Sequence, residues 1–114
     1  MTDLTDMSCA ACNGFAPVLS DEVIADLRSS LHEDWALDAE ANTLTRRFEF
    51  KGFAKAVLTA NLAAYLSDKE GHHADIAFGW GYCEITYTSH ELGRLSANDF
   101  ICAAKLDQTV AAPA

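Results

Sequence analysis

The sequence predicts an α+β fold: a single four-stranded antiparallel sheet with three helices on one face, in the order α-β-β-α-β-β-α. Three observations carry that expectation. Residues 43–50 and 83–88 alternate apolar and polar side chains, as strands buried on one face and wet on the other do. Segments 19–31, 53–67 and 96–110 carry helical spacing or helix-start signals instead. The strand segments fall in two pairs, so two hairpins flank a central helix.

The elements follow in order. Residues 1–17 read as an N-terminal arm ending in Pro17, and residues 18–110 form the domain. The first helix is LSDEVIADLRSSL, with Ser20 as N-cap and Asp21 and Glu22 suited to the helix dipole. Val23, Leu27 and Leu31 recur at helical spacing, which predicts one buried stripe. Trp35 to Leu37 and Thr43 to Phe50 are strands around a turn at Glu40 to Asn42. Leu44, Phe48 and Phe50 share one parity, and Arg46 breaks their apolar row.

The second helix runs from about Phe53 to Ser67 and is apolar nearly all round. Phe53, Val57 and Ala64 lie on one side, and Leu58, Leu62 and Tyr65 on another. A helix with two apolar sides packs on its own sheet and on something else, here a second subunit. The other reading counts its small alanines as neutral surface. A polar loop, SDKEGHHAD, leads to strands at Ile76 to Phe78 and Cys83 to Thr88. After a loop, Ser96 opens the third helix, and residues 111–114 form a frayed tail.

Composition narrows the functional classes. A chain of 114 residues is one domain, large enough to be stable without a disulfide or metal. A net charge of −9 repels phosphate backbones and anionic membranes, which argues against nucleic acid and membrane partners. No apolar run spans a bilayer, and the acidic N-terminus is unlike a signal peptide, so a cytoplasmic protein is expected. Cys9 and Cys12 form a C-x-x-C, a zinc or redox pattern, but no strand precedes it. Its bland reading is a reduced pair on a mobile arm. Cys83 and Cys102 fall on apolar faces and read as core.

The chemistry-bearing residues cluster late in the chain. His72, His73 and His90 flank the second predicted hairpin. Adjacent histidines point apart in extended chain, so His72 and His73 are poorly placed to chelate one metal. Three histidines with Asp68 or Asp99 would nonetheless suit zinc, and they equally suit acid–base work. The competing reading is solvated loop histidines. Ser96 to Asp99 is an S-x-x-D capping box, so Asp99 has a structural role available to it. Trp80 lies between Gly79 and Gly81, which would let a flat ligand or another backbone approach it, or make it a core aromatic at a bulge.

The run DKEGHHADIAFGWGYCEITYTSHELGRLSAND resembles the active-site signature of pterin-4a-carbinolamine dehydratases, with every spacing met from Asp68 through His72, His73, Trp80 and His90 to Asp99. The resemblance extends from about Leu19 to Leu106 and is strongest to the bacterial branch, some members of which carry an N-terminal C-x-x-C. Two places depart. Ala74 stands where the family has proline, removing a residue that stiffens the loop, and Gly93-Arg94 replaces a pair of small residues.

The resemblance implies the same α+β fold and a hydro-lyase. The reaction is dehydration of 4a-hydroxytetrahydropterin to quinonoid dihydropterin, recycling the cofactor of aromatic amino-acid hydroxylases. It implies no metal and no bound cofactor, because the pterin is the substrate. By position, His72 and His90 are acid and base, and His73 binds and orients the pterin. Asp99 orients His90 or fixes its tautomer, Trp80 forms pocket wall, and Asp68 is a supporting carboxylate. The expected assembly is a homodimer or homotetramer through the second helix and sheet edges. Some relatives are non-catalytic assembly factors or transcription-factor partners, which supplies the rival reading of a binding module.

Overall fold

The computed structural model describes residues 4–6, 19–38, 40–89 and 95–111. The Ser20 hydroxyl accepts from the Val23 amide at 3.3 Å, opening α1 (Asp21–Ser29) as its N-cap. Two short strands follow, β1 (Ala36–Asp38) and β2 (Thr43–Glu49). In the turn between them, Asp38 Oδ1 accepts from the amides of Glu40 and Ala41, and Asn42 adopts φ 55°. Then come α2 (Ala54–Glu70), β3 (Asp75–Gly79), β4 (Tyr82–Tyr87) and α3 (Ala97–Ala111).

The expected element order is observed, preceded by a short 3-10 turn at Leu4–Asp6 that rests on α3. The four strands form one antiparallel sheet in the order β1-β2-β4-β3, so the second hairpin enters through β4 and leaves β3 at an edge. Register follows the side-chain alternation. Leu44 faces Tyr87, Arg46 faces Ile85 and Phe48 faces Cys83, and this row meets the helices. The opposite row is wet, with Thr45 bonded to Thr86 at 3.0 Å and Arg47 beside Glu84 at 3.6 Å.

Arg46 stays on the core face. It reaches through the helix layer to Asp107 of α3 at 2.6 Å, with its guanidinium 4.2 Å from the Phe48 ring centre. Asp107 also accepts from Trp35 Nε1 at 2.8 Å and from the His32 amide at 3.2 Å. One carboxylate therefore ties α3 to β2 and to the chain between α1 and β1. Trp35 is itself buried in the core.

Two expectations about faces are corrected. In α1, Val23 is 42% exposed, and the inward stripe runs through Ile24, Leu27 and Leu31. The helix is rotated so that its second apolar residue, not its first, meets the core. In α2, the buried face is Ala56, Thr59, Ala60, Ala63, Leu66 and Ser67, so the alanines are not neutral surface. Small side chains let the helix lie close to β3, β4 and α3, leaving Leu58 and Tyr65 outside. The helix also continues three residues past the expected Ser67, to Glu70, and carries Asp68 within it. Among the described residues, no helix is long and apolar enough to cross a membrane.

Candidate active site

The histidine pair is set by how α2 ends. Gly71 takes the left-handed conformation (φ 68°) that terminates a helix at little cost for glycine. The amides of Gly71 and His72 both donate to the Ser67 carbonyl, the latter at 3.1 Å. The Ser67 hydroxyl accepts from the Ala74 amide at 3.3 Å. Ser67 therefore clamps the chain on both sides of His72-His73. Proline at position 74 would lack that amide, so the restraint lost with the proline ring is replaced here by a hydrogen bond. Nothing in the sequence marked Ser67, whose role depends on the three-residue extension of α2.

His72 turns inward and His73 outward. His72 is 3% exposed, and its Nε2 lies 2.6 Å from Oδ1 of Asp99, which is fully buried. The other Asp99 oxygen, Oδ2, accepts from the Ser89 hydroxyl and from the Ser96 amide, each at 2.9 Å. A carboxylate receiving two donors on one oxygen is an acceptor on the other as well, so His72 Nε2 carries the proton in that contact. In the neutral ring the basic lone pair is then on Nδ1. The Tyr87 ring stacks on the imidazole at 6.1 Å between centroids and 12° between planes.

Only the capping-box reading of Asp99 is met by the structure, and it takes one of the two oxygens. Oδ2 closes the capping box at the start of α3, and Oδ1 faces the histidine. The expected partner was His90; the bond observed is to His72, and His90 lies outside the described residues, as do Gly93 and Arg94. Ser89 and Ser96 hydroxyls meet at 2.7 Å beside Asp99. Ser96 was legible as a cap, whereas Ser89 carried no signal.

His73 lies 3.1 Å through Nε2 from Asp68 Oδ1, and both side chains are largely solvent-exposed. Each histidine of the pair thus has its own carboxylate, one dry and one wet. Trp80 sits apart from them. It occupies the β3–β4 turn, 72% exposed, at the opposite end of β3 from His72. Five strand residues separate the two by roughly 16 Å, so they do not share a pocket within one chain.

The flanking glycines serve the turn. Gly81 has φ 84°, donates to the Gly52 carbonyl and accepts from the Phe50 amide, both at 2.9 Å. At Gly79 an added Cβ would stand 2.8 Å from the Tyr82 ring. The close approach is by backbone and by Tyr82.

Cys83 and Cys102 are buried in the core, and burial pushes the Cys83 thiol up, away from the nucleophilic thiolate. Cys9 and Cys12 lie outside the described residues. Among the described residues, no group of three His, Cys, Asp or Glu side chains converges as metal ligands would.

Comparisons with known proteins place the chain in a family. Residues 17–109 match the family Pterin 4 alpha carbinolamine dehydratase. A Nitrosomonas eutropha protein, provisionally named pterin-4-alpha-carbinolamine dehydratase, is 40% identical over 105 residues, 92% of this chain and 91% of its own. A Legionella pneumophila protein with the same provisional name is 35% identical over 107 residues, 94% of this chain and 95% of its own. The fold is similar to that of a transcriptional coactivator/pterin dehydratase from Brucella melitensis, with a TM-score of 0.74 at 22% identity, covering 81% of this chain and 97% of that one. It is also similar to a pterin dehydratase-like protein identified as a RuBisCO assembly factor in the alpha-carboxysome, with a TM-score of 0.59 at 26% identity, covering 72% and 95%. With the match covering residues 17–109, most of the chain and all four strands, the chain belongs to the pterin-4α-carbinolamine dehydratase family.

Proposed function

We propose that the protein dehydrates a 4a-hydroxytetrahydropterin to the quinonoid dihydropterin, recycling the pterin used by aromatic amino-acid hydroxylases. The observation that carries this reading is the pair of adjacent histidines, each with its own carboxylate, His72 on buried Asp99 and His73 on exposed Asp68. Dehydration breaks the C4a–oxygen bond and removes the proton on N5. One group delivers a proton to the departing hydroxyl, the other takes the nitrogen proton, and water leaves. Imidazoles suit both tasks because both protonation states are accessible near neutral pH.

In this reading His72 and His90 exchange the protons, and His72 acts through Nδ1 while Asp99 holds Nε2–H. His73, at the surface, binds and orients the pterin, with Asp68 fixing its ring. No metal and no bound cofactor are needed. The test is turnover of synthetic 4a-hydroxytetrahydropterin, followed by the absorbance of the quinonoid product. A saturable rate above spontaneous dehydration is expected. A folded protein that adds nothing to the spontaneous rate would overturn the assignment and favour a non-catalytic binding module. The likeness to an assembly factor is the feature that favours that second reading.

The same proposal includes a homodimer or homotetramer. Leu58 and Tyr65 lie about two helical turns apart on the outer side of α2, 56% and 72% exposed. Phe53 and Phe78, with ring centres 6.4 Å apart, and Trp80 continue the apolar surface to the edge strand β3. Sedimentation velocity at micromolar concentration is expected to show a dimer or tetramer. A Leu58→Glu/Tyr65→Glu double variant is expected to lower that mass. A wild-type monomer would remove this part of the proposal.

A further inference from the structure

We infer that Ser89 is a positioning residue of the site: its hydroxyl holds Asp99 Oδ2 so that Oδ1 is aimed at His72. The inference rests on the dehydratase reading for its catalytic consequence, but not for its geometry. Ser89 is the last described residue after β4, and its hydroxyl touches both Asp99 Oδ2 (2.9 Å) and Ser96 Oγ (2.7 Å). The direction of these bonds is fixed by proton count. A serine hydroxyl has one proton. Asp99 can only accept, so Ser89 donates to it, and the contact between the two serines is donated by Ser96. Ser96 Oγ in turn accepts from the Asn98 amide at 3.3 Å. The order is therefore Ser96 to Ser89 to Asp99, with His72 donating from the other side.

Burial makes this order consequential. His72, Ser89, Ser96, Asn98 and Asp99 are all buried, so a lost donor is not simply replaced by solvent. The carboxylate can rotate about its own axis. The Ser96 amide alone fixes Oδ2 at one point, and the Ser89 hydroxyl supplies the second restraint. With that restraint gone, the 2.6 Å contact between Oδ1 and His72 Nε2 loosens. Ser96 stands upstream of Ser89, and the Ser96 amide survives replacement of its side chain. The two serines, equal as packing, are therefore unequal as restraints.

The test uses the full chain without substrate. The Nε2 proton of His72, present in both protonation states of the ring, gives a proton NMR signal whose downfield position reports the short bond to Asp99. Ser89→Ala is expected to move that signal upfield or lose it to solvent exchange, and Ser96→Ala to leave it nearly in place. Ser89→Cys keeps a side-chain heavy atom in that place but donates weakly, so it is expected to behave as Ser89→Ala and stands in should that variant fail to fold. In turnover, Ser89→Ala is expected to lower kcat roughly tenfold with KM unchanged, as loss of a group that orients a functional imidazole does.

An unshifted signal in Ser89→Ala, or an equal shift in Ser96→Ala, overturns the inference. Absent turnover in the wild type with the NMR pattern as expected would instead overturn the dehydratase reading alone.

Discussion

Replacing His72 or His90 with alanine is expected to lower the rate of pterin dehydration at least about a hundredfold in each case, the scale of a lost acid–base group. For His72 the structural argument is the dyad with Asp99. A buried carboxylate 2.6 Å from Nε2 holds the ring in place and fixes which nitrogen carries the proton in that contact. His72→Ala also strands Asp99 Oδ1 without its donor in a buried site, so some loss of stability accompanies the loss of rate. Asp99→Asn separates the two effects. The amide keeps an acceptor for the cap but removes the charge opposite His72, and turnover is expected to fall while circular dichroism stays native. Wild-type rates in both His72→Ala and His90→Ala would remove the acid–base assignment. His73→Ala, at the exposed Asp68 pair, is expected to raise KM more than it lowers kcat, because its proposed role is binding.

How much of this was legible depends on the range of the information. Alternation in β2 and β4 is local, and it placed Leu44, Phe48, Cys83, Ile85 and Tyr87 on the core face where they are found. The face of α2 was harder to read. Leu58 and Tyr65 stand outside, while Ala56, Ala60 and Ala63 are buried beside Leu66, because close approach to the sheet favours small residues over most of that face. The S-x-x-D box at Ser96 to Asp99 correctly announced a helix start, but it concealed that one carboxylate has two oxygens with two tasks. The partner of Asp99 was out of reach for spacing arguments. His72 lies 27 residues upstream and meets Asp99 only because α2 and α3 pack together.

Asp107→Ala is expected to give the largest loss of stability of any single change outside the site, about 3–5 kcal/mol, the usual cost of breaking a buried ion pair from one side. Asp107 is only 18% exposed and its partner Arg46 11%, so solvent screens neither of them well. The variant leaves the Arg46 guanidinium among apolar groups, with the exposed carboxylate of Asp34 at 4.0 Å as its remaining counter-charge. It also strips the acceptor from Trp35 Nε1 and from the His32 amide. Thermal unfolding is expected to fall by roughly 10–20 °C for a domain of this size. Asp107→Asn keeps an acceptor for Trp35 and His32 while removing the charge, so it should recover part of that loss. An Arg46→Met/Asp107→Leu double variant removes both charges and should lie closer to wild type than Asp107→Ala despite carrying more substitutions. That inversion is what distinguishes a stranded buried charge from a lost surface contact. A drop below about 1 kcal/mol for Asp107→Ala would mean the pair behaves as an exposed one. Because Asp107 lies about two turns along α3 from Asp99, the dyad should persist in the molecules that remain folded, and turnover per folded molecule should change little.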